Sequence, residues 1–397
     1  KVKEKYDLRV AIVYDNTIRK DTTGELCRRA LDKLCSQAHH FLPSQVYAIP
    51  SDYHLYINID DGLNYRLPSY FHPSVYWAID THLDYDMRLN KAGHFDLVFA
   101  AQKDGAEQLR RDGIHNARWL PLACDPDFHR PVPNLPKVFD IAFVGNVPFS
   151  GDERSAYLSL IRRRFPNCFI GNAYFEQMAH VYSQSRIVFN RSVRNDVNMR
   201  VFEAIACGSM LVTNDLIDNG QDELFTPGEH CITYKNQLDF IELVDKYLAD
   251  DKGRERIAWA GKTHAHTCHT YHHRMQQLLE EATASSSQTI TRNPVEENRD
   301  LAEKLVRSGQ WEAAAEKLRL VIQLSPDYAE VYNDLGAVCF LRGHHAEARD
   351  CFTRALELKP TYTVAKENLE SLLAMLTNTE STAGSSSHYS TPPSKSS

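Results

Sequence analysis

Residues 190–215 read NRSVRNDVNMRVFEAIACGSMLVTND, and the order of segments within them decides the fold. An apolar run, Arg186–Asn190 (RIVFN), ends where the stretch begins. A polar loop follows, then a helical segment over Asn198–Cys207, then Gly208, then a second apolar run, Ser209–Asp215. Strand, loop, helix, strand is the repeating unit of a parallel sheet covered by helices. Arg200 and Glu203 lie three apart on the helix and so share one face. Their neighbours are Val201, Phe202, Ala204, Ile205, Ala206 and Cys207, and a helix this apolar is largely buried. Two charges on such a helix need partners. A phosphate would suit the guanidinium, and a sugar hydroxyl would suit the carboxylate.

The same alternation extends outward in both directions. Apolar runs of strand length and composition occur at Arg9–Asp15, Gln45–Pro50, Leu55–Asp60, Ser74–Asp80, Leu97–Gln102 and Ala117–Ala123. A second set comprises Asp140–Gly145, Cys168–Asn172, Arg186–Asn190, Ser209–Asp215 and Cys231–Lys235. Gly24–Gln37, Lys103–Gly113, Arg154–Phe165 and Asn198–Cys207 are long enough to be crossover helices. Between the two sets, Cys124–Lys137 (CDPDFHRPVPNLPK) has four prolines and no apolar period, and reads as a linker. Two α/β lobes, 1–125 and 137–280, follow, with a ligand cleft expected at the carboxyl ends of their strands.

Beyond a small polar linker, Glu281–Asn293, the period changes. Leu301, Leu305, Ala314, Leu318 and Val321 recur 34 residues later as Leu335, Cys339, Ala348, Phe352 and Ala355. Gly309 and Gly343, and Pro326 and Pro360, keep the same spacing. This is the period and pattern of tetratricopeptide (TPR) repeats. Two repeats and a capping helix, Tyr362–Leu376, occupy 294–376, and the Ser/Thr/Pro-rich segment 377–397 is expected to be disordered. Such a module binds a protein or peptide, or stabilises or dimerises the chain.

The 397 residues carry a net charge of −7, which argues against nucleic acid as the main partner. No stretch reaches the roughly 20 apolar residues of a membrane helix. Lys1–Arg9 leads straight into an apolar run without a signal-peptide core. Nine cysteines, an odd number with no CxxC pair, read as buried free thiols in a cytoplasmic protein.

RVFEAIACGSMLVTND resembles the signature of group 1 glycosyltransferases of the GT-B fold, in the subgroup that includes CgeB-like spore maturation proteins. WLPLACDPDFHRP (119–131) is similar to the segment that leads out of the family's first lobe, so Asp125 and Asp127 are not read as a metal-binding pair. The resemblance implies two Rossmann-like lobes, a nucleotide-sugar donor on the second lobe, and transfer to a protein or glycan acceptor. It implies a hexosyltransferase-type enzyme that uses no metal and no cofactor, with positive groups and helix dipoles stabilising the leaving diphosphate. Glu203 would hold the ribose. Gly145, Asn146 and Arg154 lie on the phosphate side, and Tyr174–Ser185 falls where the family recognises the nucleobase. Asn190, Arg191, Asn198 and Arg200 complete the expected donor set, with Arg154, Arg191, Arg194 and Arg200 concentrating positive charge. The family's second Glu stands eight residues before the first, where this chain has Asn195, flanked by Asp196 and Asn198. That departure keeps open an alternative, a non-catalytic nucleotide-sugar-binding scaffold that uses its TPR module for protein interaction.

In the first lobe, SVYWAIDTHLD (74–84) is a buried strand ending in Asp80, Thr81 and His82. Asp80 and His82 are the expected catalytic residues on the acceptor side, as a base or a hydrogen-bonding clamp. Asp60-Asp61-Gly62 is a second candidate. The histidines of GKTHAHTCHTYHHR (261–274) offer zinc-like spacing, but they resemble the family's final helix, which packs against the first lobe.

Overall fold

The computed structural model describes residues 5–147, 153–192, 194–216, 218–285 and 293–384. The chain divides into two compact units, one holding most of residues 1–290 and the other the C-terminal residues from 291.

Among the described residues eleven strands belong to the first unit: β1 (Tyr6–Val13), β2 (Cys35–Phe41), β3 (Leu55–Ile59), β4 (Ser74–Ala78), β5 (Leu97–Ala100), β6 (Ala117–Trp119), β7 (Phe139–Val144), β8 (Cys168–Gly171), β9 (Ser185–Asn190), β10 (Met210–Asn214) and β11 (Ile232–Tyr234). Its helices are α1 (Thr23–Leu34), α2 (Tyr85–Ala92), α3 (Lys103–Arg111), α4 (Glu153–Arg164), α5 (Phe175–Ser183), α6 (Met199–Ala206), α7 (Gln221–Leu224), α8 (Gln237–Ala249), α9 (Asp251–Cys268) and α10 (Tyr271–Ser285). The first sheet has the order β2-β1-β3-β4-β5-β6 and the second β11-β10-β9-β7-β8, all neighbours parallel. The architecture is therefore two Rossmann-like α/β lobes. Chain order reverses at β1/β3 in the first sheet and at β7/β9 in the second, and ligand crevices form at such reversals.

Central strands are buried along their whole length, as in β3 (LYINI) and β4 (SVYWA), which explains their continuous apolar runs. Two segments depart from the sequence reading. Gln45–Pro50 is not a strand: Pro43–Ala48 forms a 3-10 turn with proline at its start and only Val46 buried. The edge strand is instead β2, CSQAHHF, whose first three residues fall within the helix expected over Gly24–Gln37. As an edge strand it is largely exposed, so its polar residues carry no apolar period. The 137–280 stretch also does not stay within one lobe. Helix α10 crosses back and packs on α1, and Tyr271 is fully buried beside Trp77.

The second unit consists of α11 (Pro294–Arg307), α12 (Trp311–Leu324), α13 (Ala329–Leu341), α14 (His345–Leu358) and α15 (Thr363–Gly384). Gly309 and Gly343 take φ of 73° and 77°, ending the first helix of each pair in the left-handed conformation that glycine permits. Ala314, Leu318, Val321, Leu335, Cys339, Ala348 and Phe352 form its core, matching the repeated positions. The last helix continues past Leu376 to Gly384, so the segment expected to be disordered starts in a helix; 385–397 lie outside the described residues. Likewise α10 covers the first part of the expected 281–293 linker, and 286–292 lie outside the described residues.

Cysteines 27, 35, 124, 207, 231, 339 and 351 are buried free thiols, Cys168 is half-buried and Cys268 is exposed. Among the described residues no helix is long and apolar enough to cross a membrane.

Candidate active site

The second lobe's reversal point is built around Gly145, at the end of β7, with φ of 147°. A Cβ there would fall 2.2 Å from Arg200 Nη2, so only glycine lets the guanidinium lie across the strand end. Arg200 Nε donates to the Val144 carbonyl at 2.6 Å, Nη1 donates to Asn190 Oδ1 at 2.7 Å, and the guanidinium sits 4.3 Å from the Phe143 ring centroid. Burial lowers its pKa. Arg200 thus braces the ends of β7 and β9 and does not project freely towards a ligand. Asn190 is also a brace. It is fully buried, its amide donates to Thr213 Oγ1 at 2.9 Å and Ser192 Oγ at 3.2 Å, and its carbonyl accepts from Tyr234.

Asn198 stands at the N-cap position of α6 without a side-chain bond to the helix, and its amide donates to Asn190 Oδ1 at 3.2 Å. Arg154, on the first turn of α4, donates through Nε and Nη2 to the Arg191 carbonyl at 3.3 and 3.2 Å. The Arg191 side chain turns back to Glu153 at 2.5 Å and the Tyr157 ring. Asn146 is exposed. The expected donor residues are therefore gathered at one strand edge, and several of them order that edge through bonds to one another.

Glu203 lies on α6 with its side chain 13% exposed. Burial pushes its carboxyl up to about 7, against the pull of Arg200, while Arg19 and Asp21 of the first lobe also bear on it. His129 Nε2 is 3.9 Å away, too far for a hydrogen bond. Burial holds that imidazole down at about 4, so it is neutral and supplies no counter-charge. Arg19 pairs with Asp21 at 2.7 Å and lies 5.5 Å from the ring centroid of Tyr174, which is 44% exposed.

The lobes meet through further contacts that the sequence reading missed. Gln102 Nε2 donates to Asp196 Oδ1 at 2.9 Å, Arg194 Nη1 to the His82 carbonyl at 2.7 Å, and the Asp104 amide to Asn219 Oδ1 at 3.1 Å. Asn195 takes φ of 62°, and its carbonyl accepts from the Asn219 side chain. Burial also pushes Asp196 up to about 7.

On the first lobe, Asp80 lines an interlobe cavity of about 420 Å³, with the loop from Tyr14 to Gly24, Asp60, Asp61, Asp196 and Asn198. Burial raises the Asp80 carboxyl, offset in part by His82, and burial lowers His82, offset in part by Asp80. Asp60 is not free: Arg88 Nε reaches its Oδ2 at 2.5 Å in a buried pair. Asp125 and Asp127 pair with Arg29 at 2.9 and 2.8 Å, and Asp127 also with Lys33 at 2.7 Å, fastening the linker to α1.

The histidine run serves the α9–α10 junction. His264 and His269 both meet the Leu224 carbonyl, and His266 meets the carbonyls of His129 and Ala206. Arg274 donates to the Pro121 carbonyl at 2.7 Å and sits 3.0 Å from His269 Nδ1. Among the described residues no three His, Cys, Asp or Glu side chains are disposed to hold a metal ion.

Residues 126–280 match a family model described as glycosyl transferase-like (Glyco_trans_1_2), and residues 329–362 and 302–343 match two tetratricopeptide-repeat models. HepE from Anabaena, solved with UDP and glucose, superposes with a TM-score of 0.52 at 12% identity, covering 70% of this chain and all of HepE. The same protein with UDP-glucose gives 0.52 at 11% identity over the same shares. An α-glucosyltransferase solved with UDP and a 13-mer DNA containing a HMU base gives 0.51 at 9% identity, covering 71% of this chain and all of that one. At these identities the likeness is one of fold. The human protein O-mannosyl-transferase TMTC1 is 37% identical over 59 residues, 15% of this chain, and the chain spans 7% of that protein's length. The class these define is a glycosyltransferase-like domain of the GT-B fold, followed by tetratricopeptide repeats.

Proposed function

We propose that this chain transfers a sugar, of hexose type, from a nucleotide-sugar donor on the second lobe to a protein or glycan acceptor entering from the first. The observation that carries this is Glu203: a nearly buried carboxylate on α6, without a hydrogen-bonding cation, on which Arg19 and Asp21 of the first lobe bear. Ribose hydroxyls donate to such a carboxylate and supply the partners it lacks. The Tyr174 ring is the exposed aromatic surface for a base, and Arg154 and Asn146 lie on the side where a diphosphate meets the start of α4. HepE, which shares the fold, was solved with UDP and glucose, which makes UDP-glucose the first donor to try.

Catalysis rests on positioning and on positive charge around the leaving diphosphate, without a metal. Asp80 and His82 act on the acceptor side. RVFEAIACGSMLVTND supports a place among CgeB-like enzymes, the unpaired cysteines support a cytoplasmic protein, and the repeats support a protein partner. The test is turnover of UDP-, GDP- and dTDP-sugars by wild type and by Glu203→Ala. Hydrolysis or transfer that falls at least tenfold in the variant supports the enzyme. Binding without turnover of any donor favours the scaffold reading that Asn195 keeps open.

A further inference from the structure

The interlobe cavity lies at the first sheet's reversal point, outside the ends of β1 and β3, and its wall is rich in hydrogen-bond acceptors. Three of its carboxylates have cations at hand. Asp60 meets Arg88 at 2.5 Å, Asp21 meets Arg19 at 2.7 Å, and Lys91 bears on Asp61. Three others bond no cation. Asp15 is met only by the backbone and hydroxyl of Thr17. Asp80 makes no side-chain hydrogen bond, and its near charges are His82, Asp60 and Arg88. Asp196, on the cavity wall, is 7% exposed; one oxygen accepts from Gln102 and the other makes no hydrogen bond. On the same wall Asn198 Oδ1 is buried without a partner.

These groups do not converge as metal ligands among the described residues. They are spread over a space of about 420 Å³, within the range of small-molecule sites. Unpartnered acceptors around such a space call for a ligand with many O–H and N–H donors. An anion is repelled by whichever of these carboxyls is ionised and gains nothing from the others, whereas an ammonium group favours their ionised form and is attracted to it. We propose that this cavity holds the acceptor, and that the acceptor unit is a hydroxyl-rich saccharide without negative charge, an amino sugar being held best. The word acceptor rests on the glycosyltransferase reading above; the preference for donor-rich, non-anionic sugars rests on the cavity wall alone.

The experiment is a set of NMR titrations of the full-length protein with glucosamine, glucose and glucuronate, run alongside a UDP titration. Glucosamine is expected to bind at least tenfold more tightly than glucuronate, with glucose between them. In an Asp80→Asn/Asp196→Asn double variant with an unchanged thermal melting profile, the gap is expected to shrink below threefold. Glucuronate binding as tightly as glucosamine, none of the three sugars binding, or a preference that survives the double substitution would each overturn the proposal. Sugars ranked as expected in a protein that binds neither UDP nor another nucleotide would support the cavity's chemistry and sink the nucleotide-sugar reading instead.

Discussion

Glu203 shows how one residue's environment sets its chemistry. Its neighbours on α6 are apolar, so the carboxyl loses water and gains little charge in return, which lifts its pKa from 4.5 to about 7. The folded carboxyl keeps its proton where the unfolded one has lost it. Stability therefore declines as pH rises from 4.5 to about 7, and Asp196 adds to the decline with the same sign. Glu203→Gln is expected to remove its share. Chemical denaturation at pH 8 should find the variant more stable by about 1–3 kcal/mol, and kcat/KM lower by roughly 10–100-fold from the lost charged hydrogen bonds. Bound ribose would favour the ionised form, so donor binding near pH 7 is expected to release a proton, read as a buffer-dependent heat in calorimetry. The positions of Glu203 on a buried helix and of Gly145 at a strand end were legible in the sequence, because the strand–loop–helix pattern places them. Arg19, Gln102 and the bonding of Asp196 were not, because each acquires its partner only when the two lobes meet.

Among elements, what the sequence showed depends on burial. β3 and β4 are covered on both faces and appear as apolar runs, whereas β2 lies at an open edge and reads as polar chain. The 45–50 run is apolar yet unpaired, since pattern alone does not separate a strand from a turn and its exit that bury Val46 and Ile49. The reversal at β7/β9 depends on one glycine. Gly145→Ala combines a positive φ with a Cβ 2.2 Å from Arg200. It is expected to destabilise the protein by about 1–3 kcal/mol in urea melts and to weaken nucleotide binding, while Gly228→Ala, with nothing near its Cβ, leaves binding unchanged. Arg274 secures the helix that crosses back to the first lobe through the Pro121 and Leu122 carbonyls and His269. Arg274→Met should cost about 2–4 kcal/mol by the same measurement, because buried acceptors lose a charged donor.

For the whole molecule, the net charge of −7 is unevenly placed: Arg154, Arg191 and Arg200 lie about the ends of β7 and β9, whereas six aspartates line the interlobe cavity. The repeats form a unit with its own core, so removing 294–397 is expected to leave donor hydrolysis within about twofold and to reduce transfer to a native acceptor at least tenfold, measured side by side. The measurement that bears most directly on the central claim is calorimetric titration of the full chain with UDP-glucose, GDP-glucose and dTDP-glucose, repeated on Glu203→Ala. The account predicts that at least one of them binds the wild type and that the substitution weakens it at least tenfold. Binding by none of the three, or binding that Glu203→Ala leaves untouched, would contradict it.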